Sequence, residues 1–389
     1  SIGCSYKGRV WSHAKGDIHQ FTEWCTHIGN KLVRTDIDPN TILKETLIPN
    51  SVSMRPLITP FAVEWDESVY LEPETRITVT VNGKPYEFYN VELRVVNPTE
   101  SETLLFELVT PAEVITFKQE LFNNARYDDY KFEQVGSTHD IRVNKGRKQV
   151  SFEHFLYENP VTWWFVDGSS LNGNSFVELK QLIPLYPQEQ ILGWDWTGVN
   201  LSSESQQVEP KVLDSIQFKI IQALKAGDYD IIYDDDYSGE IADVIAIKQF
   251  DEYINIQLYH LKYAKAGIVS RRIDDLYEVC GQAMKSINWK FKDSKEFFEH
   301  MLRREIKKSG GKTCSRIEFG DKDKISFLKE LARKSYPVEF EMFIVQPGLS
   351  SISPSIEQLT LLGVVSSYLK SKGLISLTII GSSTEPRLK

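Results

Sequence analysis

The order of secondary-structure patterns between residues 212 and 285 constrains the fold of this chain most. Apolar residues recur at helical spacing at both ends of this stretch, and short apolar runs bounded by turns lie between them. The predicted elements, in order, are a helix over 212–226, strands over 229–233, 241–247 and 254–262, and a helix that includes 274–282. An acidic turn at 234–240 separates the first two strands. The sequence therefore predicts one core built from helix, three strands and helix.

Length and composition predict two or three globular domains. The chain has 389 residues, of which 41% are hydrophobic and 25% are charged. We expect residues 1–50 to form a short α/β segment, residues 51–200 a β-rich sandwich or barrel, and residues 201–389 the domain that holds the core above. The stretch 200–210 is polar and is predicted to be a linker. The opening residues are typical of the middle of a domain, which favours a piece of a longer protein.

Charge is distributed unevenly along the chain. The net charge is −9, yet residues 211–334 hold 23 Lys plus Arg against 21 Asp plus Glu, and the rest holds 22 against 33. A weakly basic region with an acidic centre favours a polyanionic substrate. No apolar run approaches the length of a membrane span, and the four cysteines are too far apart for a zinc ribbon. We expect a cytoplasmic protein that does not enter the membrane.

Five side chains are candidates for a phosphodiesterase site. Asp243 stands at the start of an apolar strand, where a buried carboxylate needs a compensating partner such as a metal ion. His260 and Lys262 are two residues apart, so they share one face of the neighbouring strand. Glu240 lies in the acidic turn, and Gln282 lies on the polar face of the following helix. We predict Asp243, His260, Lys262 and Gln282 as catalytic residues, and Asp243, Glu240 and His260 as ligands of Mg²⁺ or Mn²⁺.

Two segments carry a resemblance to a known superfamily. An Asp at the second strand (within 239–243, Gly-Glu-Ile-Ala-Asp) and a Lys closing the third (259–262, Tyr-His-Leu-Lys) resemble the PD-(D/E)xK nucleases. The segments 239–243, 259–262 and 274–283 also resemble the nuclease-like C-terminal region of bacterial DEAD/DEAH-box helicase proteins linked to phage defence. Residues 2–12 resemble the segment that comes after the motor in such proteins. The resemblance implies an α/β fold with a restriction-endonuclease-like αβββαβ core, preceded here by a mostly β domain.

The same resemblance implies a function and partners. It predicts a divalent-metal-dependent deoxyribonuclease that acts on DNA and is coupled to a helicase motor, either in the same longer chain or in a partner subunit. This sequence departs from the superfamily at His260, where the family usually has Glu or Asp. Imidazole is a poorer ligand for magnesium than a carboxylate, although it suits manganese. Either Glu240 or the acidic run 234–236 supplies the missing carboxylate, or the site is inactive.

Two rival functions remain open at this point. The first is a catalytically degenerate module that binds nucleic acid or a partner protein, which the histidine at position 260 favours. The second is a metal-dependent nucleotide hydrolase. The sequence contains no glycine-rich Walker loop, so this chain is not itself the motor. Paired tryptophans at 163 and 164 could stack on bases, although burial under a neighbouring domain is the favoured interpretation.

Overall fold

The structure is a computed structural model. It describes residues 2–4, 10–12, 17–32, 49–66, 69, 77–96, 103–136, 138–146, 148–178, 183–237, 239–334 and 336–387. The helices are α1 Ile18–Leu32, α2 Phe152–Glu158, α3 Ile216–Lys225, α4 Tyr277–Ser286, α5 Asn288–Phe291, α6 Ser294–Arg303, α7 Lys322–Arg333 and α8 Ile356–Gly373. Short 3₁₀ turns lie at Phe88–Asn90 and Gln188–Gln190.

The strands form several separate sheets. They are β1 Ile2–Cys4, β2 Val10–Ser12, β3 Pro49–Ser51, β4 Pro60–Glu64, β5 Ile77–Val81, β6 Lys84–Glu87, β7 Glu92–Val95, β8 Leu104–Val109, β9 Val114–Asn123, β10 Asp128–Gln134, β11 Ile141–Lys145, β12 Lys148–Ser151, β13 Thr162–Phe165, β14 Ser170–Asn172, β15 Ser175–Val177, β16 Ile191–Trp194, β17 Ile231–Asp234, β18 Val244–Gln249, β19 Ile254–Leu261, β20 Ile306–Ser309, β21 Lys312–Ser315, β22 Ile317–Phe319, β23 Val338–Ser350 and β24 Ser376–Ser382.

The predicted fold class, an α/β chain with a restriction-endonuclease-like core, is wrong. The structure is 36% strand and 27% helix, with many antiparallel sheets, so its architecture is mixed and mostly β. Among the described strands, parallel pairing is confined to β16, β19, β23 and β24. The physical reason is that most consecutive strands are joined by short hairpins, which force antiparallel pairing, whereas parallel strands need long crossover connections.

Strands dominate residues 49–177, where three sheets enclose one apolar core. The sheet orders are β10-β9-β8-β7, β12-β11-β5-β6 and β3-β15-β14-β13-β4. Burial alternates along β5 and β8, as expected for strands with one face in a core. An Asn-Gly pair at 82–83 between two alternating segments predicts a hairpin turn from the sequence. The structure confirms it, because both residues have positive φ (49° and 82°) between β5 and β6.

A seven-stranded sheet, of order β16-β24-β23-β19-β18-β17-β22, dominates the rest of the chain. Its two faces are buried in different cores. The side chains of β19 point alternately into one core and the other. Ile256 and Leu258 pack into the core that contains α4, α6, α7 and α8, whereas Tyr259 and Leu261 pack into the core beneath α3. The strand ends near β17, β18 and β19 therefore lie between helices on both sides.

Strand β4 joins the β-rich region to this sheet through helix α4. Phe61 and Ala62 belong to the same core as α4, and a Cβ atom placed on Gly281 would lie 3.2 Å from the Cβ of Ala62. The favoured burial of the paired tryptophans is confirmed. Trp163 is fully buried, and the ring of Trp164 packs 4.8 Å from that of Tyr368 on α8.

Helical spacing of Phe21, Trp24, Cys25 and Ile28 in the sequence predicts a helix over 18–32 with these residues facing a core. The helix forms at Ile18–Leu32, but its apolar side is not in a core. The side chain of Phe21 is 57% exposed and stacks on Trp24 with ring centroids 6.1 Å apart. Cys25 is also exposed. The expectation that these residues face a core is therefore wrong for the described part of the chain. Among the described residues, no helix has the length and apolar character that a membrane crossing requires.

Candidate active site

Three carboxylates meet between the end of β17 and the start of β18. β17 is a fully buried strand that ends at Asp234, and β18 starts at Val244 with its first four residues buried. Because the Ile-rich strands on either side are held in the core, the acidic turn between them is held at its edge. The turn brings ligand oxygens of Asp236, Glu240 and Asp243 within 4.8 Å of one another. We call these three residues the acid group.

The donor atoms of the acid group are of the kind that binds a small divalent cation. Mg²⁺ takes oxygen ligands at about 2.0–2.1 Å in octahedral geometry, so two ligands of one ion lie roughly 2.9 Å apart on adjacent positions and roughly 4.2 Å apart on opposite positions. The oxygens of the acid group, which lie within 4.8 Å of one another, would have to move closer together to enter one shell. Carboxylates are the ligands that Mg²⁺ and Mn²⁺ prefer. The donor set therefore suits the expected cation.

Asp243 is fixed from two directions. Its Oδ2 atom accepts a hydrogen bond of 2.8 Å from the backbone N–H of Leu261, and its backbone carbonyl accepts one of 3.1 Å from Nε2 of Gln217. Its side chain is buried, and this burial, followed by repulsion from Glu204 and Asp236, raises its pKa well above the usual value. A cation beside this carboxylate would offset both the cost of burying its charge and the repulsion from the neighbouring carboxylates.

Glu240 and Gln282 are neighbours, as the candidate site required. Nε2 of Gln282 lies 3.5 Å from Oε1 of Glu240. Burial, followed by repulsion from Asp243, raises the pKa of Glu240 well above the usual value. The other polar side-chain atom of Gln282, Oε1, is buried and has no hydrogen-bond partner among the described residues. Gln282 therefore contacts the acid group through Glu240 and keeps one acceptor unused.

Lys262 lies among carboxylates. Its Nζ atom is 2.8 Å from Oε1 of Glu278 and 3.3 Å from Oε2 of Glu204. Burial lowers the pKa of Lys262, but the attraction of Glu204, Glu278 and Asp243 outweighs it and raises the pKa overall. The ammonium group therefore stays protonated at neutral pH, and it is attracted electrostatically to Asp243.

His260 is a fully buried side chain near the end of β19. Its exposed fraction is 1%, and neither ring nitrogen has a hydrogen-bond partner among the described residues. Burial lowers the pKa of His260 to about 3, so the ring is neutral at physiological pH. The close set of ligand atoms in the described structure comprises the acid group and not His260. Its predicted roles as metal ligand and catalytic residue therefore stay predictions.

The first two aspartates of the acidic run are engaged in buried ion pairs. Both oxygens of Asp234 lie 2.9 Å from Nζ of Lys307, and Oδ1 of Asp235 accepts a hydrogen bond of 2.7 Å from Nε of Arg304. Asp235 also accepts a bond from the backbone N–H of Ile241. An Asp-rich turn is commonly a solvated hairpin turn, which the sequence left as an alternative to metal binding for this run. These two carboxylates are not in such a turn, because both are buried and paired. Of the run 234–236, Asp236 is the residue that joins the acid group.

Glu204 is a neighbour of the site that the sequence did not predict. It lies in the stretch predicted to be a linker, but Oε2 of Glu204 accepts a hydrogen bond of 3.0 Å from the backbone N–H of Tyr263 and contacts Lys262. Two residues later, Gln206 is fully buried against Asp234. This stretch is packed against the end of the sheet, and its polar composition gave no signal of that.

Lys307 was not predicted either. The sequence pattern predicts an amphipathic helix around 294–307, and a basic helix face is usually solvated. In the structure α6 ends at Arg303, and a hairpin of β20 and β21 comes after it. This hairpin places Lys307 in the interior, with its Nζ atom 3.2 Å from Oδ2 of Asp236. The basic composition of this stretch indicated a solvated face, so composition gave no sign that one of its lysines is buried.

Comparison of the chain with protein families, with curated proteins and with solved structures gave no significant match.

Proposed function

We propose that this protein is a divalent-metal-dependent phosphodiesterase that cleaves DNA. The observation that carries the proposal is the acid group, three carboxylates with ligand oxygens within 4.8 Å of one another, with a protonated lysine electrostatically coupled to one of them. A carboxylate cluster of this kind is costly to bury without a cation, since like charges repel in a low-dielectric environment. A bound cation and a nearby positive charge each stabilise the negative charge that develops during phosphodiester hydrolysis.

In this proposal each side chain of the site has a separate role. Asp236, Glu240 and Asp243 would hold Mg²⁺ or Mn²⁺, and a cation bound there polarises the phosphate and lowers the pKa of a water molecule. Because Lys262 keeps its proton at neutral pH, its role is to stabilise negative charge that develops on the phosphate, not to act as a general base. Gln282 orients Glu240 and offers its unused amide oxygen to the attacking water.

DNA as the substrate is supported by two features of the sequence. Residues 211–334 carry a small positive balance although the chain as a whole is acidic. The segments around Asp243 and Lys262 resemble nuclease-like regions of helicase proteins linked to phage defence. On this proposal the protein acts in the cytoplasm as the antiviral effector of a helicase motor, which is present either in a longer form of the same chain or in a partner subunit.

The direct test is cleavage of labelled single- and double-stranded DNA in the presence of Mg²⁺ or Mn²⁺. We expect metal-dependent cleavage by the wild type and its loss in the Asp243→Asn and Lys262→Met variants. Asp251→Asn is the matched control, because Asp251 is exposed in the turn between β18 and β19. Cleavage that persists in Asp243→Asn would reject the acid group as the catalytic centre.

One observation favours a second candidate function, a non-catalytic module that binds nucleic acid or a partner protein. A neutral, buried His260 stands where the resembling nucleases carry an acid, and both nearest partners of Lys262 are protein carboxylates. DNA binding without cleavage under any of the metal conditions, also in the presence of a helicase motor, would support this alternative.

A further inference from the structure

A cleft of about 150 Å³ runs between helix α4 and the strands β4 and β7 of the β-rich region. Tyr277, Gln282 and Lys285 line it from α4, and Glu92 and Arg94 line it from β7. We propose that this cleft binds single-stranded DNA and leads one phosphodiester to the acid group. The inference rests on the proposed function and deepens it, since it names the form of the substrate and gives the β-rich region a part in binding.

The cleft is connected to the acid group through α4. Gln282 lines the cleft, and its Nε2 atom is 3.5 Å from Oε1 of Glu240. One turn earlier, Glu278 also lines the cleft and accepts a hydrogen bond of 2.8 Å from Nζ of Lys262. A strand in the cleft would therefore contact Gln282 and Glu278, which are the neighbours of Glu240 and Lys262.

Three cations line the cleft together with the carboxylates of Glu92, Asp274 and Glu278, and each cation has a carboxylate partner that a phosphate can replace. Arg94 pairs with Glu107 at 2.6 Å, Lys265 lies 3.7 Å from Asp274, and Lys285 lies 3.5 Å from Glu92. The side chains of the three cations are between 26% and 48% exposed. Ion pairs this exposed contribute at most about 1 kcal/mol, so phosphate groups compete with them effectively.

The lining of the cleft favours an unpaired strand. Tyr277 places an aromatic ring in the cleft, and such a ring stacks on bases that are not stacked on their own neighbours. A base pair inside a duplex offers no free face to it.

The width of the cleft is set by close packing at its floor. A Cβ atom on Gly281 would lie 3.2 Å from the Cβ of Ala62 and 3.5 Å from the carbonyl oxygen of Phe61. Helix α4 and strand β4 therefore approach as closely as a glycine permits. Lys285 also donates a hydrogen bond to the backbone carbonyl of Leu93, which ties β7 to the same helix. The two walls form a built site and not a gap between loosely placed parts.

Binding of a fluorescent oligothymidylate, measured by anisotropy in EDTA, tests the inference without metal or cleavage. Three phosphate contacts predict that log K falls with log salt with a slope of about −2, at roughly −0.7 per contact on a single strand. We expect Lys265→Gln and Arg94→Gln each to weaken binding several-fold and to reduce the slope by about 0.7. Tyr277→Ala should weaken binding about tenfold, whereas Tyr277→Phe, which keeps the ring, should bind like the wild type.

Lys131→Gln is the matched control, because Lys131 on β10 is similarly exposed and paired but lies outside the cleft. It should bind like the wild type. The inference is overturned if the cleft variants and this control behave alike, if duplex DNA competes as well as the single strand, or if oligouridylate binds more tightly. Because binding is measured in EDTA, it depends on neither metal binding nor cleavage, so this inference and the proposed function fail separately.

Discussion

The Nζ atom of Lys307 lies 2.9 Å from both carboxylate oxygens of Asp234, and both side chains are buried. The same Nζ atom is 3.2 Å from Oδ2 of Asp236, which belongs to the acid group. Ser205 donates a hydrogen bond to that oxygen as well. The hairpin of β20 and β21 therefore anchors one member of the candidate cation site through a buried ion pair.

Replacing Lys307 with Met should destabilise the fold strongly. Removing one partner of a buried ion pair leaves an uncompensated charge, which typically costs about 3–5 kcal/mol. We expect a loss of this size in the free energy of unfolding of Lys307→Met, measured by urea denaturation. Lys308→Met provides the control, since its exposed side chain lies on the same strand. Equal stability of the two variants would show that the Lys307–Asp234 pair does not stabilise the fold.

The stretch predicted to be a linker should behave as part of the folded core. Gln206 is fully buried, and its Nε2 atom donates hydrogen bonds of 2.7 Å to Asp234 and 2.9 Å to Glu318. Gln206→Leu leaves two buried carboxylates short of a donor, which should cost about 1–3 kcal/mol in the free energy of unfolding. Glu209→Gln, at an exposed position of the same stretch, should be neutral. A neutral Gln206→Leu would restore the linker interpretation.

Several local elements could be predicted from the sequence because each depends on short-range patterns. The hairpin at Asn82-Gly83 needs two residues that tolerate positive φ, and the helix Ile18–Leu32 needs only its own periodicity. The strands on either side of Asp243 were predicted for the same reason. Short-range patterns do not determine which distant strands pair with each other, and this is why the predicted fold class was wrong.

The candidate site was predicted only in part. The proximity of Gln282 to Glu240, and the electrostatic coupling of Lys262 to Asp243, result from strand alternation and from the helix after the hairpin. The contributions of Glu204 and Lys307 could not be predicted. Both come from polar segments that gave no sign of long-range packing, and this packing buries Lys307 and partly buries Glu204.

Stability should fall with rising pH because of the acid group. Asp243 and Glu240 have raised pKa values in the folded protein, whereas carboxyl groups in an unfolded chain have pKa values of about 4. The folded state therefore binds protons more strongly than the unfolded state. The stability that this proton binding contributes is lost as pH rises from about 4 through the folded pKa values. In EDTA, Asp243→Asn should gain stability relative to the wild type as pH rises through this window. A pH-independent difference in the urea unfolding free energy would contradict these raised pKa values.

Substitutions of Lys262 distinguish charge stabilisation from proton transfer. Its raised pKa keeps the ammonium group protonated, so we expect Lys262 to contribute to catalysis through its positive charge and not by giving up a proton. Lys262→Met should reduce kcat about 10²–10³-fold, the usual effect of removing one charge-stabilising donor. Lys262→Arg keeps the charge and should retain most of the activity with an unchanged pH profile. An inactive Lys262→Arg would point to a lysine that transfers protons.

Direct binding of Mn²⁺, measured by isothermal titration calorimetry at pH 8, tests whether the acid group is a metal site. We predict one site in the wild type and in Asp251→Asn, and its loss in Asp243→Asn, because Asp243 supplies one of the three converging oxygens. Affinity should also weaken as pH falls, since protons compete with the cation for carboxylates of raised pKa. No binding by the wild type, or equal binding by Asp243→Asn, would contradict a metal site at the acid group.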